Sequence, residues 1–253
     1  MHILFTVCGR AGSKGIKSKN SREFLGHSLV LYTLAAIDLY KQSVPEADID
    51  VALNTDSAAL LEIARDKVSM SVDCVERKPE LGTDLVPKIA VIADTMLQME
   101  QMRQTSYDMV VDFDLTAPLR RLADIQAIID KKRDTDCDIV FSVAECRRNP
   151  YFNMVMETDR GYDRVIASNF DARQQAPAVY DMNASLYAYE PDYLKSGKGI
   201  FDGRCDIIEM IDTGILDLDR PIDFELMQVI AEYFYKQYPD YAQVRDHIPA
   251  ILR

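Results

Sequence analysis

Strand-like and helix-like segments alternate along this 253-residue chain, which predicts an α/β protein with a mostly parallel sheet and helices on both faces. Composition agrees: hydrophobic residues make up 48% and charged residues 28%, the balance of a soluble globular protein that can bury a full core. A glycine-rich loop follows the first apolar run directly, at the sheet edge where open parallel sheets take their ligands. A single domain over residues 1–253 is expected.

The elements follow in order. Residues 3–7 are an apolar run that reads as a buried first strand, with the glycine loop behind it. Residues 28–37 read as a helix, with Ser28 placed to cap it. A second strand over 49–53 ends at Asn54-Thr55-Asp56. Residues 58–66 carry Leu60, Leu61 and Ala64 on one side of a helix, and 72–75 form a short strand. A helix begins at about Pro87, since proline suits a first helical turn. Residues 109–113 are a central strand, a helix resumes near Asp124, and 139–143 are another strand. Residues 144–190 are rich in Tyr, Asn, Arg and Met without helical periodicity, so paired strands and long loops are expected. That stretch reads as an arm protruding from the core, suited to dimerisation. The alternating Leu216-Asp217-Leu218-Asp219 closes the core, and 222–235 form the last long helix. No internal repeat or flexible linker interrupts the pattern.

Charge and residue usage exclude several functions. A net charge of −12 argues against non-specific binding to nucleic acid or an anionic membrane, both of which need a cationic surface. No apolar run approaches the ~20 residues of a membrane span, and the N-terminus lacks a signal-peptide pattern, so a cytoplasmic protein is expected. Five scattered cysteines without a Cys-x-x-Cys pair read as free thiols of a reducing compartment. With only His2, His27 and His247, histidine catalysis and zinc chemistry have little to work with.

The loop from Cys8 to Asn20 carries the strongest chemical signal. Gly9, Gly12 and Gly15 let the backbone turn tightly and approach a ligand, and Arg10, Lys14, Lys17 and Lys19 put four cations beside them. Bare N–H groups next to cations at the mouth of a strand describe a polyphosphate site. It is not a Walker A loop, because Lys14 precedes Gly15 and Ile16 follows. Nor is it the dinucleotide fingerprint, whose glycines are spaced differently. Among the acidic residues near predicted strand ends, Asp217 and Asp219 are the better candidate pair for an octahedral Mg2+ that also takes phosphate oxygens. Asp112-Phe113-Asp114 is a competing pair.

The run Arg10-Ala11-Gly12-Ser13-Lys14-Gly15 with Lys19-Asn20 resembles the signature of the acylneuraminate cytidylyltransferases, which activate sialic-acid-like sugars. Four further segments resemble that family in the same order. They are Arg77-Lys78-Pro79-Glu80-Leu81-Gly82-Thr83-Asp84, Leu115-Thr116-Ala117-Pro118-Leu119-Arg120, the arm motifs around Pro150-Tyr151 and Arg173-Gln174-Gln175, and the stretch from Asp217 through Leu226. The resemblance implies a Rossmann-like nucleotidyltransferase core of the GT-A-like kind. It implies Mg2+-dependent transfer of CMP from CTP to the anomeric hydroxyl of a nonulosonic acid, with release of pyrophosphate. The product would serve bacterial surface glycan or flagellin glycosylation.

Residue by residue, the resemblance puts Gly9, Arg10, Ala11, Gly12, Ser13, Lys14 and Asn20 on the nucleotide, joined by Arg77, Thr83 and Asp84. Arg10, Lys14, Asp217 and Asp219 would be catalytic, the two aspartates as metal ligands. Asp114, Thr116, Arg120, Phe152 and Arg173 would face the sugar, with Gln174, Asn183, Tyr187 and Phe201. Arg173 is the candidate for the sugar carboxylate, which a guanidinium can bind bidentately. The family carries small hydroxyl residues where this chain has Leu85-Val86-Pro87-Lys88, and Gln where it has Asp114. An ionised Asp114 accepts but does not donate, which suits the metal, a sugar hydroxyl or an amide N–H. Phe152 and Asp181 replace a basic residue and an arginine of the sialic-acid enzymes, a combination resembling the legionaminic-acid branch. An aromatic suits a methyl terminus better than a hydroxylated tail. Sialic and pseudaminic acids remain alternative substrates, and no residue stands out as a general base. The alternative reading is that the arm aromatics and Arg173 knit a homodimer by arm exchange, a role compatible with sugar binding. A nucleotide-sugar glycosyltransferase and a non-catalytic nucleotide-binding protein are the readings from other classes.

Overall fold

The computed structural model describes residues 1–12, 16, 18–83, 85–213, 218 and 220–253. Its centre is a seven-stranded sheet. In chain order the strands are β1 (His2–Gly9), β4 (Asp48–Thr55), β5 (Asp73–Glu76), β6 (Met109–Phe113), β7 (Ile139–Glu145), β10 (Tyr180–Tyr189) and β11 (Cys205–Glu209). Two small hairpins complete the strands: β2 (Glu23–Phe24) with β3 (His27–Ser28), and β8 (Val155–Thr158) with β9 (Gly161–Arg164). Across the sheet the order is β11-β7-β10-β6-β1-β4-β5. Every pairing is parallel except those of β10, which runs antiparallel between β6 and β7. The mostly parallel α/β class expected from the alternation is what the chain adopts.

Helices cover both faces, as a mostly parallel sheet requires. They are α1 (Leu29–Ser43), α2 (Ala58–Glu62), α3 (Lys88–Arg103), α4 (Leu122–Asp134), α5 (Pro191–Lys195), α6 (Pro221–Gln237) and α7 (Pro239–Ile251). Period-two alternation along β1 sorts its side chains: Ile3, Phe5 and Val7 enter the core beneath α1, α4, α6 and α7, while Leu4 enters the smaller core beneath α3 and α5. The same alternation on β6 sends Val111 and Phe113 to the first core and Val110 to the second. Asp112 is therefore held on the α3 side, with no exposed surface.

Several local expectations are corrected. Ser28 stands at the N-cap of α1 but makes no capping bond; its hydroxyl donates to Ser21 O at 3.0 Å, closing the β2–β3 hairpin instead. Pro87 is the N-cap of α3 and not part of its first turn. Residues 222–235 lie in α6, but α7 follows it and packs on α1, so α6 is not the last helix. Residues 180–189, within the stretch read as an arm, form β10 of the central sheet. A register shift between Met182 and Tyr187, with Ala184 at φ 49°, breaks the alternation that would have marked this strand. Helices α4 and α6 start alike: the carboxylates of Asp124 and Asp223 accept from the backbone N–H of Arg121 and Arg220 at 2.9 and 3.0 Å. Among the described residues, no helix is long and apolar enough to cross a membrane.

Candidate active site

Because six of the seven central strands are parallel, their carboxyl ends share one edge, and the loops after β1, β5 and β6 meet there. A cavity of about 300 Å³ opens at this edge. Among its lining residues are Arg10, Lys19, Asn20, Arg77 and Thr83 from the loops after β1 and β5, and Lys88, Asp114 and Thr116 from the start of α3 and the loop after β6. A second cavity of about 30 Å³ adjoins it through Thr116 and is bordered by Asn183, Ser185, Met210 and Met227. Six of the residues expected at the site thus line the first cavity, and Asn183 lines the second with Thr116.

The loop after β1 is held from below. A Cβ at Gly9 would lie 2.5 Å from Leu115 Cδ1 and 2.8 Å from Leu60 Cδ1, so a side chain where the chain leaves the sheet would force both leucines to move. Gly12 differs, since a Cβ there meets nothing within 4 Å. Asn20 Nδ2 donates to Arg10 O at 3.2 Å, and the Ala11 N–H donates to Asp56 Oδ1 at 2.7 Å. Ser13, Lys14, Gly15 and Lys17 lie outside the described residues, as do Asp84, Asp217 and Asp219. Arg77 is 8% exposed; its Nε donates to Asn54 Oδ1 at 2.8 Å and Nη2 to Asn54 O at 3.3 Å, which fixes the guanidinium at the end of β4.

Lys88 joins two aspartates in an ionic triad. Lys88 Nζ stands 2.7 Å from Asp112 Oδ2 and 2.7 Å from Asp114 Oδ2. Asp112 Oδ1 accepts from the Thr6 hydroxyl at 2.8 Å. Asp114 Oδ1 accepts from Thr116 N at 2.7 Å and Thr116 Oγ1 at 2.6 Å. Burial pulls the Lys88 ammonium down, but the two carboxylates outweigh it and hold its pKa well above the ordinary lysine value. Burial pushes Asp114 up, yet Lys88 and Thr116 prevail and leave it at about 2. Burial, with the Asp112 carboxylate, raises the Cys8 thiol on the cavity wall to about 12. It stays protonated and is a poor nucleophile.

Asp112 and Asp114 hold an ammonium in the place where a divalent ion would bridge them, so as a pair they do not fit a metal. Among the described residues no group of three His, Cys, Asp or Glu side chains is arranged to hold one.

The sugar-side candidates divide into three groups. Asp114 and Thr116 are at the cavity, and Asn183 beside it accepts from the Ser142 hydroxyl at 2.6 Å. Arg120 is 1% exposed and lines neither cavity. It ties the end of β6 to β10 through Asp114 O at 3.0 Å, Ser185 O at 2.9 Å and Ser185 Oγ at 3.2 Å. Burial lowers its pKa to about 10. Tyr187 is in the core beneath α3, stacked on Tyr189 with centroids 6.1 Å apart.

The third group stands apart from both cavities. Arg173 Nη2 donates to Cys146 O at 2.9 Å, just beyond the carboxyl end of β7, and Gln174 beside it is exposed. Phe152 takes the Arg164 guanidinium over its ring at 5.9 Å, and Phe201 is 71% exposed with its edge contact to Phe141. The clearest omission of the sequence reading is Lys88. Its only signal was its departure from the family pattern, because its partners are 24 and 26 positions away.

No protein-family model matches the chain. It is 31% identical over 231 residues to post-translational flagellin modification protein B of Campylobacter coli, and 30% identical over 231 residues to CMP-N,N'-diacetyllegionaminic acid synthase of Campylobacter jejuni. Each match covers 90% of this chain and 94% of the relative. An N-acylneuraminate cytidylyltransferase of Streptococcus agalactiae is 28% identical over 244 residues, 96% of this chain and 55% of that one. In three dimensions the chain resembles a CMP:2-keto-3-deoxy-manno-octonic acid synthetase solved with CTP. That likeness has a TM-score of 0.63 at 13% identity, covering 92% of this chain and 99% of the other, and it speaks for the fold.

Proposed function

The chain belongs to the acylneuraminate cytidylyltransferase family and is a nucleotidyltransferase; from that premise we propose that it transfers CMP from CTP to the anomeric hydroxyl of legionaminic acid. The observation that carries this reading is the cavity at the carboxyl edge. It brings cations and amide groups of the nucleotide kind (Arg10, Lys19, Asn20, Arg77) together with Asp114 and Thr116. Its volume of about 300 Å³ lies within the range of small-molecule sites.

In this mechanism the anomeric hydroxyl oxygen attacks the α-phosphorus in line, forming the new P–O bond as the bond to pyrophosphate breaks, and its proton is released to solvent. Arg10, Lys14 and the loop N–H groups stabilise the charge on the departing pyrophosphate. Asp217 and Asp219 would hold Mg2+, as carboxylate oxygens are the donors this ion takes. Bound there it would offset triphosphate charge and polarise the phosphorus under attack. Arg77, anchored on Asn54, positions the nucleotide side, and Asp114 with Thr116 orients the acceptor. Rate enhancement comes mostly from positioning and electrostatics. Neither Asp114 at about 2 nor the protonated Cys8 thiol serves as a general base at neutral pH.

Legionaminic acid is favoured over sialic acid by two features. The relative of Campylobacter jejuni bears that activity in its name, and Met210, Met227 and Ala184 put apolar side chains beside Asn183, Ser185 and Thr213 in the small cavity, which suits an acylated amine. The β8–β9 hairpin exposes Val155 at 65% and Tyr162 at 75%. A two-stranded hairpin is marginal alone, which supports pairing with a second copy as a homodimer. Pyrophosphate release from CTP, measured with a panel of nonulosonic acids, tests the reading. Legionaminic acid should turn over best; a preference for sialic acid would overturn the choice of acceptor. Absence of pyrophosphate with every acceptor would favour a glycosyltransferase.

A further inference from the structure

Lys88 breaks a helix rule. It is the first residue of α3, where the helix dipole disfavours a cation, yet its side chain is only 34% exposed. Two carboxylates from another element hold it there. Asp112 and Asp114 lie two positions apart at the end of β6, and both Oδ2 atoms are 2.7 Å from Nζ.

Asp114 is fixed from several sides at once. Its backbone N–H donates to Ser185 O at 3.1 Å, and its carbonyl accepts from Arg120 at 3.0 Å. Its Oδ1 receives both Thr116 bonds and its Oδ2 receives Lys88. A carboxylate offers about four acceptor positions. Among the described residues three are filled, and the remaining one is on Oδ2, the oxygen that Lys88 holds. Asp114 borders the larger cavity, and its neighbour Thr116 borders both.

We propose that Lys88 is a positioning residue for acceptor recognition: it locks Asp114 as an ionised carboxylate with a single open acceptor position, which takes a hydroxyl or amide N–H of the acceptor sugar. This rests on the cytidylyltransferase reading above. It adds a direction to it, because a site with one fixed acceptor selects sugars that present a donor there and rejects those that present a carboxylate. Lys88 acts through Asp114 and not on the nucleotide phosphates. The triad of one ammonium and two carboxylates carries a net negative charge, which gives no attraction to a triphosphate.

The experiment compares KM for the sugar with KM for CTP in Lys88→Met, Lys88→Arg and Asp114→Asn, each with a thermal melt. Lys88→Met should raise the sugar KM about tenfold or more while the CTP KM changes less than about threefold, as expected when contacting residues are strongly coupled. Lys88→Arg, which keeps the charge, should recover most of the loss. Asp114→Asn leaves the Lys88–Asp112 pair intact, so it reports on the sugar even if Lys88→Met fails to fold; its sugar KM should rise as well. An unchanged sugar KM in either neutral variant, or equal rises for sugar and CTP, overturns the assignment. Wild-type protein that releases no pyrophosphate with any acceptor would instead sink the underlying reading, before any variant is compared.

Discussion

Gly9 and Gly12 stand on one loop, but an added methyl group meets different surroundings at each. At Gly9 the Cβ falls 2.5 Å from Leu115 Cδ1, 2.8 Å from Leu60 Cδ1 and 3.3 Å from Asn20 Nδ2. Leu115 and Leu60 are 2% and 1% exposed, so neither can swing into solvent to make room. Overpacking of this kind costs about 1–3 kcal/mol. Alanine's smaller unfolded-state entropy returns about 0.4–1 kcal/mol. Gly9→Ala should therefore destabilise by about 1–2 kcal/mol, a fall of about 2–8 °C in Tm for a chain of this size. Gly12→Ala meets nothing within 4 Å and should leave Tm unchanged or slightly higher. If the loop binds triphosphate, the Gly12 methyl group occupies space that a phosphate needs, and the KM for CTP should rise about tenfold, a loss of about 1.4 kcal/mol. Ligand-free calorimetry and initial rates of pyrophosphate release separate the two effects. Equal Tm losses in both variants would refute the packing argument. A Gly12→Ala enzyme with unchanged CTP KM would refute the placement of phosphate on this loop.

Asp114 sets an acid limit. Its folded pKa of about 2 is below the unfolded 3.8, so it contributes about 2 kcal/mol of stability above pH 3.8 that is lost as pH falls towards 2. Acid unfolding of Asp114→Asn should lack that part of the slope, and identical wild-type and variant curves would contradict the Lys88 and Thr116 contacts. Lys14→Ala should lower kcat by two orders of magnitude or more, on the order of the loss when one transition-state donor is removed; near-normal turnover would remove the leaving-group role of the loop. Asp217→Asn should weaken the response to Mg2+, measured as activity against metal concentration, and an unchanged requirement would remove Asp217 from the metal site. Tyr162→Asp, which places a charge on the exposed hairpin, should shift a homodimer towards monomer in light scattering, and an unaltered mass would exclude that face from the interface.

The parts of the fold that were legible in the sequence are those governed by local rules. The strand over residues 109–113 coincides with β6, and the runs at 3–7, 49–53 and 139–143 fall inside β1, β4 and β7. Short, largely apolar runs rich in β-branched residues and bounded by polar or turn residues suit strands buried on both faces. Strand β10 was lost because its bulge at Asn183-Ala184 destroys the period-two pattern, and β11 because Cys205-Asp206 opens it with a polar face. Arg120 looked like a ligand residue because motifs do not reveal burial. Folding turns its guanidinium inward, to bind β6 to β10.

By itself the sequence determined the α/β class, the order of the core strands through β7 and, through its motifs, the resemblance that pointed to the family. Those depend on residue type and short-range spacing, which the chain displays directly. Only the tertiary structure decided that Arg77 is anchored on Asn54, that Arg120 is a buried tie and that Lys88 stands between Asp112 and Asp114. Each of these joins residues that are distant in the chain and adjacent only once the strands are aligned in the sheet. A buried charge is stable only beside its partner, and the partner is chosen by the packing of α3 against the sheet, which no local pattern encodes.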